Sequence, residues 1–99
     1  MPRKEDRVNY INEIVLEWSS GNREARITDL STGGCYVDTI ATIPEGESVS
    51  FVLKTGNGEV VPITGKVAYV LPGFGFGIEF TDISDDARSA LDRLVKEAG

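Results

Sequence analysis

Two short clusters hold the side chains best able to grip an anionic, nitrogen-rich ligand. Arg3-Lys4-Glu5-Asp6-Arg7 places two guanidinium groups on one short segment near the start of the sequence. Asp29-Leu30-Ser31-Thr32-Gly33-Gly34 gathers a carboxylate, a hydroxyl and two adjacent glycines. A guanidinium binds phosphate through paired N–H donors and stacks on flat π-systems. It also donates in bidentate fashion to O6 and N7 of guanine. A carboxylate accepts hydrogen bonds from the N1–H and N2–H₂ edge of guanine, and a serine hydroxyl can donate or accept beside it. Glycine allows a turn and a close backbone approach to a ligand. Arginines with Asp29, Ser31, Gly33 and Gly34 thus form a chemically complete set for a guanine nucleotide. Each cluster alone also has a plainer account. Charged leading residues are commonly solvated, and Asp and Ser both make local side-chain turns.

Other chemistries are poorly supplied. The chain has no histidine and a single cysteine, Cys35. This removes the commonest general base, an internal disulfide and a Cys-based zinc site. Asp82, Asp85 and Asp86 lack the spacing of a calcium-binding EF-hand loop. Gly73-Phe74-Gly75-Phe76-Gly77 lacks the spacing of a dinucleotide-binding glycine loop, and its glycines read as making room between strands. No nucleophile–base pair is legible. The sequence therefore reads as a binding module, not an enzyme, with no metal or cofactor.

The elements that must position these residues are mostly strands. Apolar residues recur with a period of two, which is the strand period. Ile14, Leu16 and Trp18 share a face, as do Ala25 and Ile27, then Cys35, Val37 and Thr39. Val49, Phe51 and Leu53 alternate with Ser48, Ser50 and Lys54. Thr55-Gly56-Asn57-Gly58 follows, and Asn-Gly between alternating runs predicts a hairpin. Val61, Ile63, Val67 and Tyr69 form the next face, with Pro62 on the opposite parity suggesting an edge or a bulge. Leu71-Pro72-Gly73 is a turn, and Phe74, Phe76, Ile78 and Phe80 then alternate with Gly75, Gly77 and Glu79. The tail changes period. Ala87, Leu91, Leu94, Val95 and Ala98 fall at helical spacing, with Ser84 as N-cap and Asp85 and Asp86 at the positive end of the dipole. Six strands and one helix predict an all-β fold, a six-stranded antiparallel barrel with the C-terminal amphipathic helix (84–98) packed on it.

At 99 residues the chain is one domain, 1–99, with a flexible arm over 1–10. The formal net charge of −6 argues against a nucleic-acid polymer as partner, because non-specific binding of that kind needs cationic side chains. The same charge speaks against an OB-like oligonucleotide binder. No apolar run is long enough for membrane insertion, and the charged start lacks a signal-peptide pattern. The expected compartment is the cytoplasm.

In this order and spacing the two clusters resemble the signature of the PilZ domain family. That signature is Arg-x-x-x-Arg followed, after a stretch of strand, by Asp or Asn-x-Ser-x-x-Gly. Arg3 and Arg7 meet the first part; Asp29, Ser31 and Gly34 meet the second. Ala25–Ser31, Gly65–Val70, Gly77–Phe80 and Ser84-Asp85-Asp86 also resemble family segments, so the likeness covers nearly the whole chain. The resemblance implies a PilZ-type barrel that binds cyclic di-GMP. Arg3 and Arg7 would contact its phosphates and guanines. Asp29 and Ser31 would bond a guanine edge, with Gly34 permitting the turn and Gly33 beside it. Tyr69 stands where some members offer an aromatic ring for stacking, although a plain structural tyrosine also fits. Many members carry a further arginine before the first motif arginine, where this chain has Pro2. Binding of one or of two ligand molecules therefore stays open. The motif begins almost at residue 1, which favours an adaptor, monomeric or weakly dimeric, that passes the signal to a downstream protein. The alternative is a PilZ-like interaction module that does not bind the nucleotide.

Overall fold

The structure is a computed structural model that describes residues 7–56 and 58–98. Six strands form β1 (Val8–Trp18), β2 (Gly21–Leu30), β3 (Gly34–Asp38), β4 (Ser48–Lys54), β5 (Val60–Leu71) and β6 (Gly75–Phe80), followed by helix α1 (Asp85–Ala98). All neighbouring strands are antiparallel and close into a barrel in the order β1-β2-β3-β6-β5-β4. This is the six-stranded barrel with a terminal helix that the alternation predicts. Closure rests on the single pair Glu17–Ser50 between β1 and β4.

The predicted inward faces largely hold. Ile14, Leu16, Ile27, Cys35, Val37, Val49, Phe51, Leu53, Val61, Ile63, Val67, Phe76 and Ile78 are all buried in one cluster. Trp18, Ala25 and Phe80 are partly buried against it. The half of β5 that carries Pro62 pairs with β4 alone, and β6 joins β5 only from Gly65. A proline there removes no ladder bond on the open side, as the edge reading expects.

Four details depart from the simple period. First, β1 begins at Val8, within the stretch given to the arm, because Val8 and Asn9 pair with Leu30 and Asp29. Second, Phe74 does not point inward. The Leu71–Phe74 turn closes through the Phe74 N–H donating to the Leu71 carbonyl, with Gly73 at φ 84°, and leaves Phe74 71% exposed before β6 starts. Third, Tyr69 leaves the face of Val67, since Ala68 is an extra residue that breaks the alternation against β6. Fourth, in α1 the buried residues are Ala87, Ala90, Leu91 and Leu94; Val95 is only partly buried and Ala98 is exposed. Ser84 caps the helix as expected, its Oγ accepting from the Ala87 N–H at 3.1 Å.

The β4–β5 connection runs through Thr55–Glu59, closed by the Thr55 N–H donating to the Glu59 carbonyl at 2.9 Å. Asn57 lies outside the described residues, so the Asn-Gly step itself is not described.

Candidate functional site

The site grows from the end of β2 and the turn behind it. Two register shifts flank Asp29. β1 carries an extra residue between Asn9 and Asn12, and β2 carries Thr28 as an extra residue opposite β3. Strict alternation would put Asp29 on the same side as Ile27, inside the barrel. The bulge at Thr28 restores Leu30 to the core and turns Asp29 to the outer face, where it is half-buried. The carboxylate is thereby usable by a ligand.

Arg7, next to the first residue of β1, reaches Asp29. Its Nη1 donates to Asp29 Oδ1 at 2.7 Å, with the two side chains 39% and 31% exposed. The structure thus brings the guanidinium of one cluster and the carboxylate of the other into direct contact. Arg3 lies outside the described residues.

Ser31 is placed differently from the other motif residues. It is 1% exposed, and its hydroxyl is engaged within its own turn. Oγ accepts from the N–H groups of Gly33 (3.3 Å) and Gly34 (3.1 Å) and donates to the Gly34 carbonyl (3.2 Å). The Ser31 N–H donates to the same carbonyl at 2.8 Å. In this arrangement Ser31 braces the β2–β3 turn and faces no solvent. Ser31→Ala removes the hydroxyl's bonds to Gly33 and Gly34 from a buried turn and should destabilise the domain by on the order of 1–3 kcal/mol. Thermal unfolding reads this directly; a variant melting with the parent would mean the turn does not depend on the hydroxyl.

Gly34 also works by another route than turning. It is the first residue of β3, and a Cβ there would run into the Ile78 carbonyl oxygen of β6. Its glycine is required by the close approach of two strands. Gly33 accepts from the Phe80 N–H at 2.9 Å, tying the turn to β6 on the same side.

Register then extends the site sideways. Asn9 pairs with Asp29, Asp29 with Tyr36, Tyr36 with Gly77, and Gly77 with Tyr69. One lateral row crosses β1, β2, β3, β6 and β5 on the outer face of the barrel. Tyr36 and Tyr69 stack with ring centroids 6.4 Å apart and planes at 30°. Burial, and then the nearby Tyr69, Asp38 and Asp29, push the Tyr36 phenol above its ordinary range. Cys35, beneath the row, is fully buried, and burial first, then Asp29, push its thiol up while Arg7 opposes. It stays a protonated, unreactive core residue.

The sequence does not single out Tyr36 for the site, and it marks Gly77 only as making room between strands. A signal was present: a turn over 31–34 that pairs Leu30 with Cys35 necessarily sets Asp29 beside Tyr36. A depression of about 740 Å³ lies elsewhere, lined mainly by residues of β1, β2, β4 and β5, and none of Arg7, Asp29, Ser31, Tyr36 or Tyr69 lines it. Arg7 and Asp29 sit on the outer face of the barrel, away from that depression. No group of three or more His, Cys, Asp or Glu suited to a metal occurs among the described residues. No helix among them is long and apolar enough to cross a membrane.

Comparison with solved structures supports the fold. The Bacillus subtilis inhibitor of motility MotI/DgrA aligns with a TM-score of 0.84 at 13% identity, over 98% of this chain and 51% of that one. The PilZ domain of Escherichia coli YcgR, solved with c-di-GMP, aligns with a TM-score of 0.78 at 16% identity, over 99% and 92%. The Borreliella burgdorferi PlzA protein, solved in complex with c-di-GMP, gives 0.72 at 18%, over 95% and 41%. The chain thus spans about half or less of the motility inhibitor and of PlzA, and nearly all of the YcgR domain. A search of curated proteins returns no sequence match. The PilZ domain family model matches residues 2–97, with the arginine, Asp29 and Ser31 motifs inside the match, and the chain therefore belongs to the PilZ domain family.

Proposed function

We propose that this chain is a cyclic di-GMP receptor that binds the dinucleotide without changing it and passes the signal to a partner protein. The observation that carries the reading is the Arg7–Asp29 contact at 2.7 Å, which unites both halves of the signature at one outward-facing spot. A guanine N1–H and N2–H₂ edge offers Asp29 the same kind of partner that Arg7 now provides. Arg7, once exchanged, can turn to a phosphate oxygen or to O6 and N7 of the base. Arg3 would add a second guanidinium from the same segment. Ser31, Gly33 and Gly34 shape the turn that holds Asp29 in place. Tyr69, 40% exposed on the same row, offers a ring for the base to lie against. The ligand complexes of the YcgR domain and PlzA support this chemistry, and the likeness of fold to an inhibitor of motility fits an adaptor role.

Isothermal titration with cyclic di-GMP tests the reading. Saturable binding is expected, with the nucleotide recovered at unchanged mass. An absence of heat together with an unchanged melting temperature at high ligand would leave the chain as an interaction module of the same family. A changed nucleotide mass would make it an enzyme.

A further inference from the structure

We propose that Tyr36 is a ligand-binding residue, which with Tyr69 forms a two-ring floor for a guanine base bedded on Gly75 and Gly77. The inference rests on the receptor reading above and adds to it a subsite that the signature residues do not contain.

The geometry is specific. Tyr36 is the register partner of both Asp29 and Gly77, so it stands directly between the carboxylate and the bed of the second ring. A Cβ at Gly77 would strike the Tyr69 ring at Cε1 and Cζ, which means the ring rests against the β6 backbone. A Cβ at Gly75 would come to 3.0 Å from the Tyr36 hydroxyl and would collide with the Val37 carbonyl. The Tyr69 ring therefore rests on β6 at Gly77, where any side chain would push it away, and the Tyr36 hydroxyl lies close to Gly75, where the Val37 carbonyl is the nearer obstacle. The ring centroids lie 6.4 Å apart with the planes inclined at 30°, so the two rings form one aromatic pair beside Asp29.

Such a floor suits a purine. Tyrosine has two side-chain torsions, so ordering it loses little entropy, and the Tyr69 ring already rests against β6. Every base has a π-face, so a flat aromatic floor supplies affinity, while the adjacent Asp29 reads the edge that marks guanine. The raised Tyr36 phenol stays protonated near neutral pH and adds no negative charge under a phosphodiester. The inference also explains the glycine run, whose two members under the rings have a role in neither the turn nor a phosphate loop.

The test is a cycle of calorimetric titrations with cyclic di-GMP. Tyr36→Ala should weaken binding roughly tenfold, within the range of base–aromatic stacking. Tyr36→Phe should bind within about twofold of the parent if the ring is what matters. Gly77→Ala should weaken binding in the parent background, since its methyl displaces Tyr69, but should add nothing in a Tyr69→Ala background, where the space is vacant. Melting temperatures accompany each variant, and if Gly77→Ala fails to fold, the Tyr36 pair decides alone. Tyr36→Ala binding within twofold of a parent that does bind overturns the inference and leaves the receptor reading standing. Equal losses from Gly77→Ala in both backgrounds overturn the glycine bed. A parent that gives no heat ends the receptor reading itself, and the floor with it.

Discussion

Arg7→Ala is expected to lower cyclic di-GMP affinity by at least a hundredfold while leaving the melting temperature almost unchanged. The two halves of this expectation come from the same contact. As a fold element, the Arg7–Asp29 pair is an ion pair with more than a third of the arginine exposed and nearly a third of the aspartate. Pairs of that kind contribute about 0–1 kcal/mol. The barrel does not need it, since Val8 and Asn9 already anchor β1 to Leu30 and Asp29 through the backbone. As a ligand contact, the guanidinium supplies paired, charge-assisted donors, each worth about 1.5–3 kcal/mol when made to an ionised group. Two such bonds correspond to on the order of a hundredfold or more in Kd. Lysine is a poor substitute, because a point charge lacks the fork and the flat stacking face, so Arg7→Lys should recover only part of the loss. Titration calorimetry and thermal melting on the same samples separate the effects. Binding retained within threefold would place the anchoring charge elsewhere; a large drop in melting temperature would mean that Arg7 acts through the fold.

The sequence carried the barrel well because its strands are short and its inward faces are unmixed. Val49, Phe51 and Leu53 alternate without interruption, and so do Val61 and Ile63, so the core positions follow from period alone. The residues of the site were legible as chemistry but not as placement. A strict period of two would bury Asp29 with Ile27 and would keep Tyr69 on the face of Val67. The two bulges, at Thr28 and Ala68, reverse both, and an extra residue in a strand has no composition signal that distinguishes it from its neighbours. These bulges are what make the site: they turn a carboxylate and an aromatic ring outward onto one row. The same limit applies to Phe74, whose alternation with Phe76 looks uninterrupted until the turn closes behind it. Ser31 illustrates another kind of gap. Its hydroxyl is equally suited to a ligand and to a turn, and the sequence does not show that it is buried and bonded to Gly33 and Gly34 within the turn. Arg3, which falls outside the described residues, is carried by the signature alone.

Gly34→Ala is expected to be the most damaging single-methyl addition in the signature, and the reason lies in strand packing more than in the turn. Gly34 opens β3 opposite Glu79, with Cys35 opposite Ile78, and the added Cβ would occupy the space of the Ile78 carbonyl oxygen. That oxygen belongs to the sheet backbone and has no rotamer by which to move aside. Relief requires β3 to separate from β6 at its first pair. Separation would stretch the Gly33 carbonyl from the Phe80 N–H and shift the Gly34 groups that Ser31 brackets from both sides. Overpacking of this kind costs about 1–3 kcal/mol, and the backbone collision puts Gly34 toward the upper end. For a domain of this size each kcal/mol lowers the melting temperature by roughly 4–8 °C. Gly56→Ala is the matched control, because nothing lies within 4 Å of its added Cβ, and it should stay within about 0.5 kcal/mol of the parent. The strain should also reach the ligand. Tyr36 lies two residues beyond Gly34 on the same strand, so a displaced β3 carries the ring away from Asp29, and affinity should fall together with stability. If Gly34→Ala melts with Gly56→Ala, then β3 and β6 yield freely at that pair, and the glycine of the signature must be explained by direct approach of the ligand to its backbone instead.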